Sequence, residues 1–196
     1  MVGTFRDGKA NAGDEANYIL FRTDRFELEE SGTFWLHGGD TEKIDKIEGA
    51  LCNRICTWAL LKDKVTGDTV LACNTHLDHS NDTIRTAQLT ALFGELSYEI
   101  SQTPTILTGD FNTLRNSEPY KKITAHGLSD GQKMTWKDHS TVDHSCHLYQ
   151  NDGEIIDYCF HSSDFRSVSA KIINDDYGGY VSDHYGVLVE LLPVFK

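Results

Sequence analysis

Hydrophobic positions along this chain follow two periods. NYILFR (17–22) and RFELEE (25–30) read as two short strands around a Thr-Asp turn, and GTFWLHG (32–38) as a third. RICTWALLKD (54–63) and DTVLACNTHL (68–77) are stronger strands, joined by a hairpin turn with Gly67 at its tip. The period then changes to that of a helix. Leu89, Leu92, Phe93, Leu96 and Ile100 recur at i, i+3, i+4, i+7 and i+11, one apolar stripe within residues 80–100. Ser80, Asn81 and Asp82 offer N-caps. TPTILTGD (103–110) is the next strand. SEPYKKITAHG (117–127) is a short helix, with Pro119 in its first turn and Gly127 stopping it. EIIDYCFH (154–161), VSAKII (168–173) and YGVLVELL (185–192) are three more strands. Many strands with two interleaved helices predict an α+β fold of stacked sheets flanked by helices. The hairpins imply antiparallel pairs, which argues against a doubly wound sheet.

Composition narrows the classes. The 196 residues suffice for one domain, preceded by a loose start over 1–14. Thirty acidic against eighteen basic residues give a net charge of −12, which disfavours strong non-specific binding to nucleic acid. A metal-assisted enzyme acting on phosphates stays compatible, because a bound cation reverses the local sign. The five cysteines, with no CxxC spacing, read as free thiols. No run reaches the ~18–20 apolar residues of a membrane span.

Four polar clusters stand where apolar strands stop: NTHLDH (74–79), GDFN (109–112), IDY (156–158) and SDH (182–184). Strand ends are where a rigid scaffold presents reactive groups. In GDFN, strand alternation puts Asp110 and Asn112 on one face, a set suited to a hydrated metal ion or a water that must be oriented and deprotonated. The competing reading is an Asx turn with a hinge at Gly109. Together the clusters supply two histidines, three carboxylates and an amide, an inventory for metal-assisted hydrolysis of a phosphate ester. Arg54 and Arg85 read as solvated ion pairs, and Asp78 and His79 as strand-end turn polarity. DHSTVDHSCH (138–147) fits no zinc spacing and reads as a polar loop on the substrate side.

THLDH, GDFN, IDY and SDH, in that order and spacing, resemble the endonuclease/exonuclease/phosphatase superfamily, which includes DNase I, abasic-site endonucleases, neutral sphingomyelinases and deadenylases. The stretch EANYILFRTDRFELEESGTFWL is also similar, so the resemblance runs from about residue 15 to 191. It implies a DNase I-like four-layer α/β/β/α sandwich over 15–196, present in part. It also implies a phosphodiesterase or phosphomonoesterase using Mg²⁺ or Mn²⁺. His76 resembles the histidine that contacts the scissile phosphate, and Glu15 the carboxylate that orients it. His184 is similar to the second active-site histidine and Asp157 to its partner. Asp110 would deprotonate the attacking water, Asn112 would bind a phosphate oxygen or the metal, and Asp183 would sit near the metal. The resemblance leaves open a small molecule, a lipid headgroup or a nucleic acid as substrate, and the cytoplasm or the exterior as location. It implies a monomer for the full-length domain.

The family's N-terminal metal-binding glutamate has no counterpart. Glu27, Glu29 and Glu30 lie in the wrong segment, and roughly the first third of the expected domain is absent, given that such sandwiches run ~200–250 residues or more. The expectation is a fragment of a longer product or a misplaced start. The alternatives are a catalytically inactive remnant and a binding module of the same fold. Exposed sheet edges and weakened metal binding would follow.

Overall fold

The longest helix forms where the apolar stripe lies. Helix α1 (Asp82–Gln102) starts at Asn81, whose side chain accepts a hydrogen bond from the Ile84 N–H at 3.0 Å. It buries Leu89, Leu92, Phe93 and Leu96. Helix α2 (Glu118–Ala125) starts at Ser117, carries Pro119 in its first turn and buries Tyr120 and Ile123. The computed structural model describes residues 1–10, 13–132, 142–150, 153–175 and 178–194.

The strands are β1 (Phe26–Trp35), β2 (Ile55–Asp63), β3 (Thr69–His76), β4 (Thr105–Asp110), β5 (Ser129–Asp130), β6 (Asp157–His161), β7 (Phe165–Ile173) and β8 (Gly186–Pro193). Among the described residues, six form one sheet in the order β1-β2-β3-β4-β6-β5, and β7 pairs with β8 in a second. The pairings are antiparallel except for β3 with β4, which α1 connects as a crossover.

Alternation sorts each strand into two faces. Leu71 and Cys73 of β3, Leu107 of β4, and Tyr158 and Phe160 of β6 join Leu89, Leu92, Phe93, Tyr120 and Ile123 in one buried core. The helices therefore cover that face. Residues of the other parity point away from it. His161 of β6 contacts the Ser167 hydroxyl of β7 at 3.0 Å through Nε2. The second sheet therefore lies on the side away from the helices, and helix layer, large sheet and small sheet are stacked.

The strands expected over three segments, 17–22, 25–30 and 32–38, are corrected. The strands expected at 25–30 and 32–38 are one strand, β1, with an irregularity between Leu28 and Glu30. Gly32 lies within β1, where a Cβ would stand 2.8 Å from the Trp58 indole, so its bareness makes room for that ring. Residues 17–22 are not a strand. Ile19 pairs with Val2 alone, and the Tyr18 carbonyl accepts from the Asn74 side chain at 3.0 Å, so the segment crosses strand ends instead of joining the sheet. The β5 strand, two residues long, carries no period that could announce it. No described helix is long and apolar enough to cross a membrane.

Candidate active site

Register brings three of the four polar clusters into one line. Across neighbouring strands, His76 of β3 pairs with Asp110 of β4, and Asp110 pairs with Asp157 of β6. All three have the parity that faces away from the helices. They form a transverse row where β3 and β4 end and β6 begins.

Both ends of the row are extended. The His76 ring lies between two carboxylates, with Nδ1 3.2 Å from Glu15 Oε2 and Nε2 3.2 Å from Asp110 Oδ2. Glu15 arrives on the segment that crosses the strand ends, pinned by Asn17, whose buried amide donates to the Ile55 carbonyl at 3.1 Å. At the other end, His184 Nδ1 donates to Asp157 Oδ2 at 2.8 Å. The result is a line of three carboxylates and two imidazoles in the order Glu15, His76, Asp110, Asp157, His184, with the two aspartates adjacent at its centre.

Asn112 reaches the site by a route that strand alternation does not describe. Strand β4 ends at Asp110, and Asn112 has φ 48°. Its N–H donates to Asp110 Oδ1 at 2.8 Å, which is an Asx turn. The side-chain NH₂ donates to the Leu77 carbonyl at 2.9 Å and lies 3.4 Å from Asp110 Oδ2. The turn reading and the functional reading of GDFN thus describe one arrangement. Asp183 contributes through its backbone: its carbonyl accepts from His147 and Leu148 at 2.9 and 3.1 Å. Its carboxylate lies outside the set formed by Asp110, Asp157 and His184, whose ligand atoms all fall within 4.8 Å of one another.

Electrostatics divide the row. The hydrogen bond with His76 holds the Glu15 carboxyl down at about 2, helped by Arg6 and by Arg54 at 3.5 Å. Its folded pKa is depressed, so its stabilising contribution is present above its ordinary 4.5 and is lost as pH falls towards 2. Burial pushes the Asp110 carboxyl up, as does the charge of Asp157, against the pull of His76. The hydrogen bond to Asp157 raises His184. That pair stabilises the fold fully below the ordinary imidazole value of 6.5, and the contribution fades as pH rises through the raised value. In metal-free protein, Asp157→Asn is expected to lower the His184 pKa, read by NMR titration of its ring. An unchanged value would show that Asp157 is not what holds the proton.

The donor set fits a hard divalent cation. Asp110 and Asp157 are two carboxylates whose mutual repulsion raises Asp110, and a cation would offset that repulsion. Asp110, Asp157 and Asn112 supply oxygen donors, and His184 a nitrogen.

Other residues behave differently from their sequence readings. Arg54 is buried, not solvated: its guanidinium lies 3.5 Å from Glu15, 3.7 Å from Asp78 and 3.1 Å from His79 Nδ1. Arg85 is also largely buried and pairs with Asp82 at 2.6 Å. Asp78, fully buried, accepts from the backbone N–H of Leu51, Cys52 and Ser80, the structural role expected of it. Glu27, Glu29 and Glu30 lie on β1, at the sheet edge farthest from β6.

Of the His-rich run, residues 138–141 lie outside the described residues. Its latter part braces the site. Ser145, fully buried, accepts from the Ile156 and Asp157 N–H through Oγ at 3.2 Å each, while its carbonyl accepts from the Tyr185 N–H at 2.7 Å. One serine thus ties the start of β6 to the residue after His184. Nothing in the local sequence pattern announces that role.

Residues 57–184 match the profile of the Endonuclease/Exonuclease/phosphatase family. Compared with curated protein sequences, the chain has no match. Among solved structures, the chain is similar to the Bacteroides thetaiotaomicron mannosyl-6-phosphatase, with TM-score 0.84 and 29% identity, over 97% of this chain and 76% of that one. It is similar to an endonuclease/exonuclease/phosphatase of Bacteroides vulgatus with TM-score 0.85 and 30% identity, over 98% of this chain and 75% of that one. The catalytic domain of human Nocturnin shares the fold, with TM-score 0.74 and 20% identity, over 98% of this chain and 72% of that one. The fold is accordingly DNase I-like and α+β.

Proposed function

The chain belongs to the endonuclease/exonuclease/phosphatase family, and we propose that it hydrolyses a phosphate ester with a divalent cation, Mg²⁺ or Mn²⁺, as cofactor. The observation that carries this reading is the row of His76, Asp110 and Asp157 in strand register, extended by Glu15 and His184. Acids and imidazoles set side by side can take one proton and offer others within a single patch.

In this reading Asp110 accepts the proton of the attacking water, held by the Asn112 N–H and flanked by His76. Its raised carboxyl makes it a better proton acceptor than a solvated aspartate. His76, held between Glu15 on one side and Asp110 on the other, faces the phosphoryl oxygens. His184, its proton held by Asp157, supplies a second positive donor or protonates the departing oxygen. The Asn112 amide binds a phosphoryl oxygen or the cation. A cation held by Asp157 and the Asn112 amide oxygen would neutralise charge on the phosphate, leaving Asp110 to take the proton and His184 to give one.

A phosphomonoester of a small molecule is the favoured substrate. The net charge of −12 disfavours polymeric nucleic acid. A family relative at 29% identity is a mannosyl-6-phosphatase, which also supports a monoester. The test is phosphate release from p-nitrophenyl phosphate and bis(p-nitrophenyl) phosphate, with EDTA and then with added Mg²⁺ or Mn²⁺. Turnover that EDTA abolishes and metal restores is expected, faster on the monoester. No turnover under any condition would leave the non-catalytic binding module as the better reading.

A further inference from the structure

We propose that the cavity beside His184 receives the group that leaves the phosphate, and that this group is an uncharged hexose ring. The proposal rests on the phosphoesterase reading above. His184 belongs to both the row and the cavity, so a ligand there abuts the reacting centre. The cavity holds about 380 Å³, within the roughly 300–1,000 Å³ of small-molecule sites. Its walls include His147, Asn174, Asp175, Tyr180, Ser182 and Tyr185.

Three aromatic rings make one wall. His147 stacks on Tyr185 with centroids 4.2 Å apart at 29°, and Tyr180 lies tilted against it at 4.6 Å and 35°. Tyr180 is half-exposed, an amphipathic ring left open beside the reacting centre. The open face of such a ring accepts the C–H face of a pyranose, which is apolar on its faces and polar around its rim.

His147 adds a second, independent observation. Its Nδ1 accepts the Tyr149 N–H at 3.0 Å, which places the proton of the neutral ring on Nε2. That Nε2 is buried, and the backbone of Ser182 acts on the ring as an acceptor. The ring is thereby fixed as the back of the wall, and Tyr180 and Tyr185 present the surface that a ligand meets.

Charge selects among ring-shaped ligands. Among the described residues lining the cavity there is no Lys or Arg, and Asp175 is acidic. A second phosphate or a nucleic-acid backbone would find no cation there. The Asp175 carboxylate can accept from vicinal sugar hydroxyls.

The test compares kcat/KM for mannose 6-phosphate, glycerol 3-phosphate and AMP, in wild type, Tyr180→Ala and Tyr180→Phe. The wild type is expected to favour the hexose ester over the ringless one. Tyr180→Ala should reduce that preference by about tenfold, and Tyr180→Phe should retain it. Preference for AMP, or a preference unchanged in Tyr180→Ala, would overturn the hexose assignment while leaving phosphoester hydrolysis intact. If no ester is hydrolysed, the phosphoesterase reading fails separately, and calorimetric titration with mannose 6-phosphate decides the subsite. Binding weakened by Tyr180→Ala supports it; no binding overturns it.

Discussion

Asp110→Asn is expected to reduce metal-dependent phosphate release by about 10²–10⁴-fold, the range for loss of a general base, while the folded protein becomes no less stable. Both halves follow from the position of the side chain. Asparagine has the same shape and can still accept the Asn112 N–H through its Oδ1, so the Asx turn survives. What disappears is a negative charge and a proton acceptor 3.2 Å from His76 Nε2. In the folded state burial and Asp157 oppose that charge, so the carboxyl is pushed up. A carboxyl raised on folding destabilises the ionised protein at neutral pH. Removing its charge should therefore leave the unfolding midpoint unchanged or slightly higher when measured in EDTA. Activity lost with stability kept is the pattern of a group positioned for chemistry at a cost to the fold. A large fall in the midpoint would instead make Asp110 a structural residue. Turnover near the wild-type rate would remove it from the proton transfer altogether.

What could be read from the chain before its structure was known follows the range of the interactions. Helix α1 was legible because its stripe is local, set by neighbours three and four positions apart. The strands β2 and β3 were legible for the same reason. The candidate site was legible as residue types at strand ends, and His76, Asp110, Asp157 and His184 do converge. Their alignment was not legible. It depends on the register of β3 against β4, which is fixed only after 28 residues of crossover that include α1. A slip of one residue would turn Asp110 towards the helices. Asn112 was placed on the right side for an incomplete reason, because a turn and not a strand carries it there. Arg54 was misjudged because burial of a cation depends on the distant partners Glu15 and Asp78, not on its neighbours in sequence. Ser145 and His147 were hidden in a run that looked like solvated loop. Their roles lie in which backbone groups and rings they meet, and no periodicity encodes that.

Gly109→Ala should destabilise the protein by about 3–5 kcal/mol, at the upper end of single-site effects, although it adds only a methyl group. Gly109 has φ 149°, and a Cβ built there would lie 1.9 Å from the Thr75 carbonyl oxygen on the neighbouring strand. The obstacle is backbone within the β3–β4 ladder, so it cannot rotate aside as a side chain could. Adopting this φ costs an L-residue of order 1–3 kcal/mol by itself, and parting the ladder adds more. The damage would fall next to the His76–Asp110 pair, so activity should fall with stability. Gly94 provides the opposite case on the same chain. It sits within α1, and a Cβ there meets nothing within 4 Å. Gly94→Ala should stabilise by roughly 0.5–1 kcal/mol through helix propensity. Urea midpoints for the two variants should therefore move in opposite directions from wild type. If Gly109→Ala unfolds with the wild-type midpoint, the close approach of β4 to Thr75 is not what the strand pairing requires. The register that assembles the row would then need another origin.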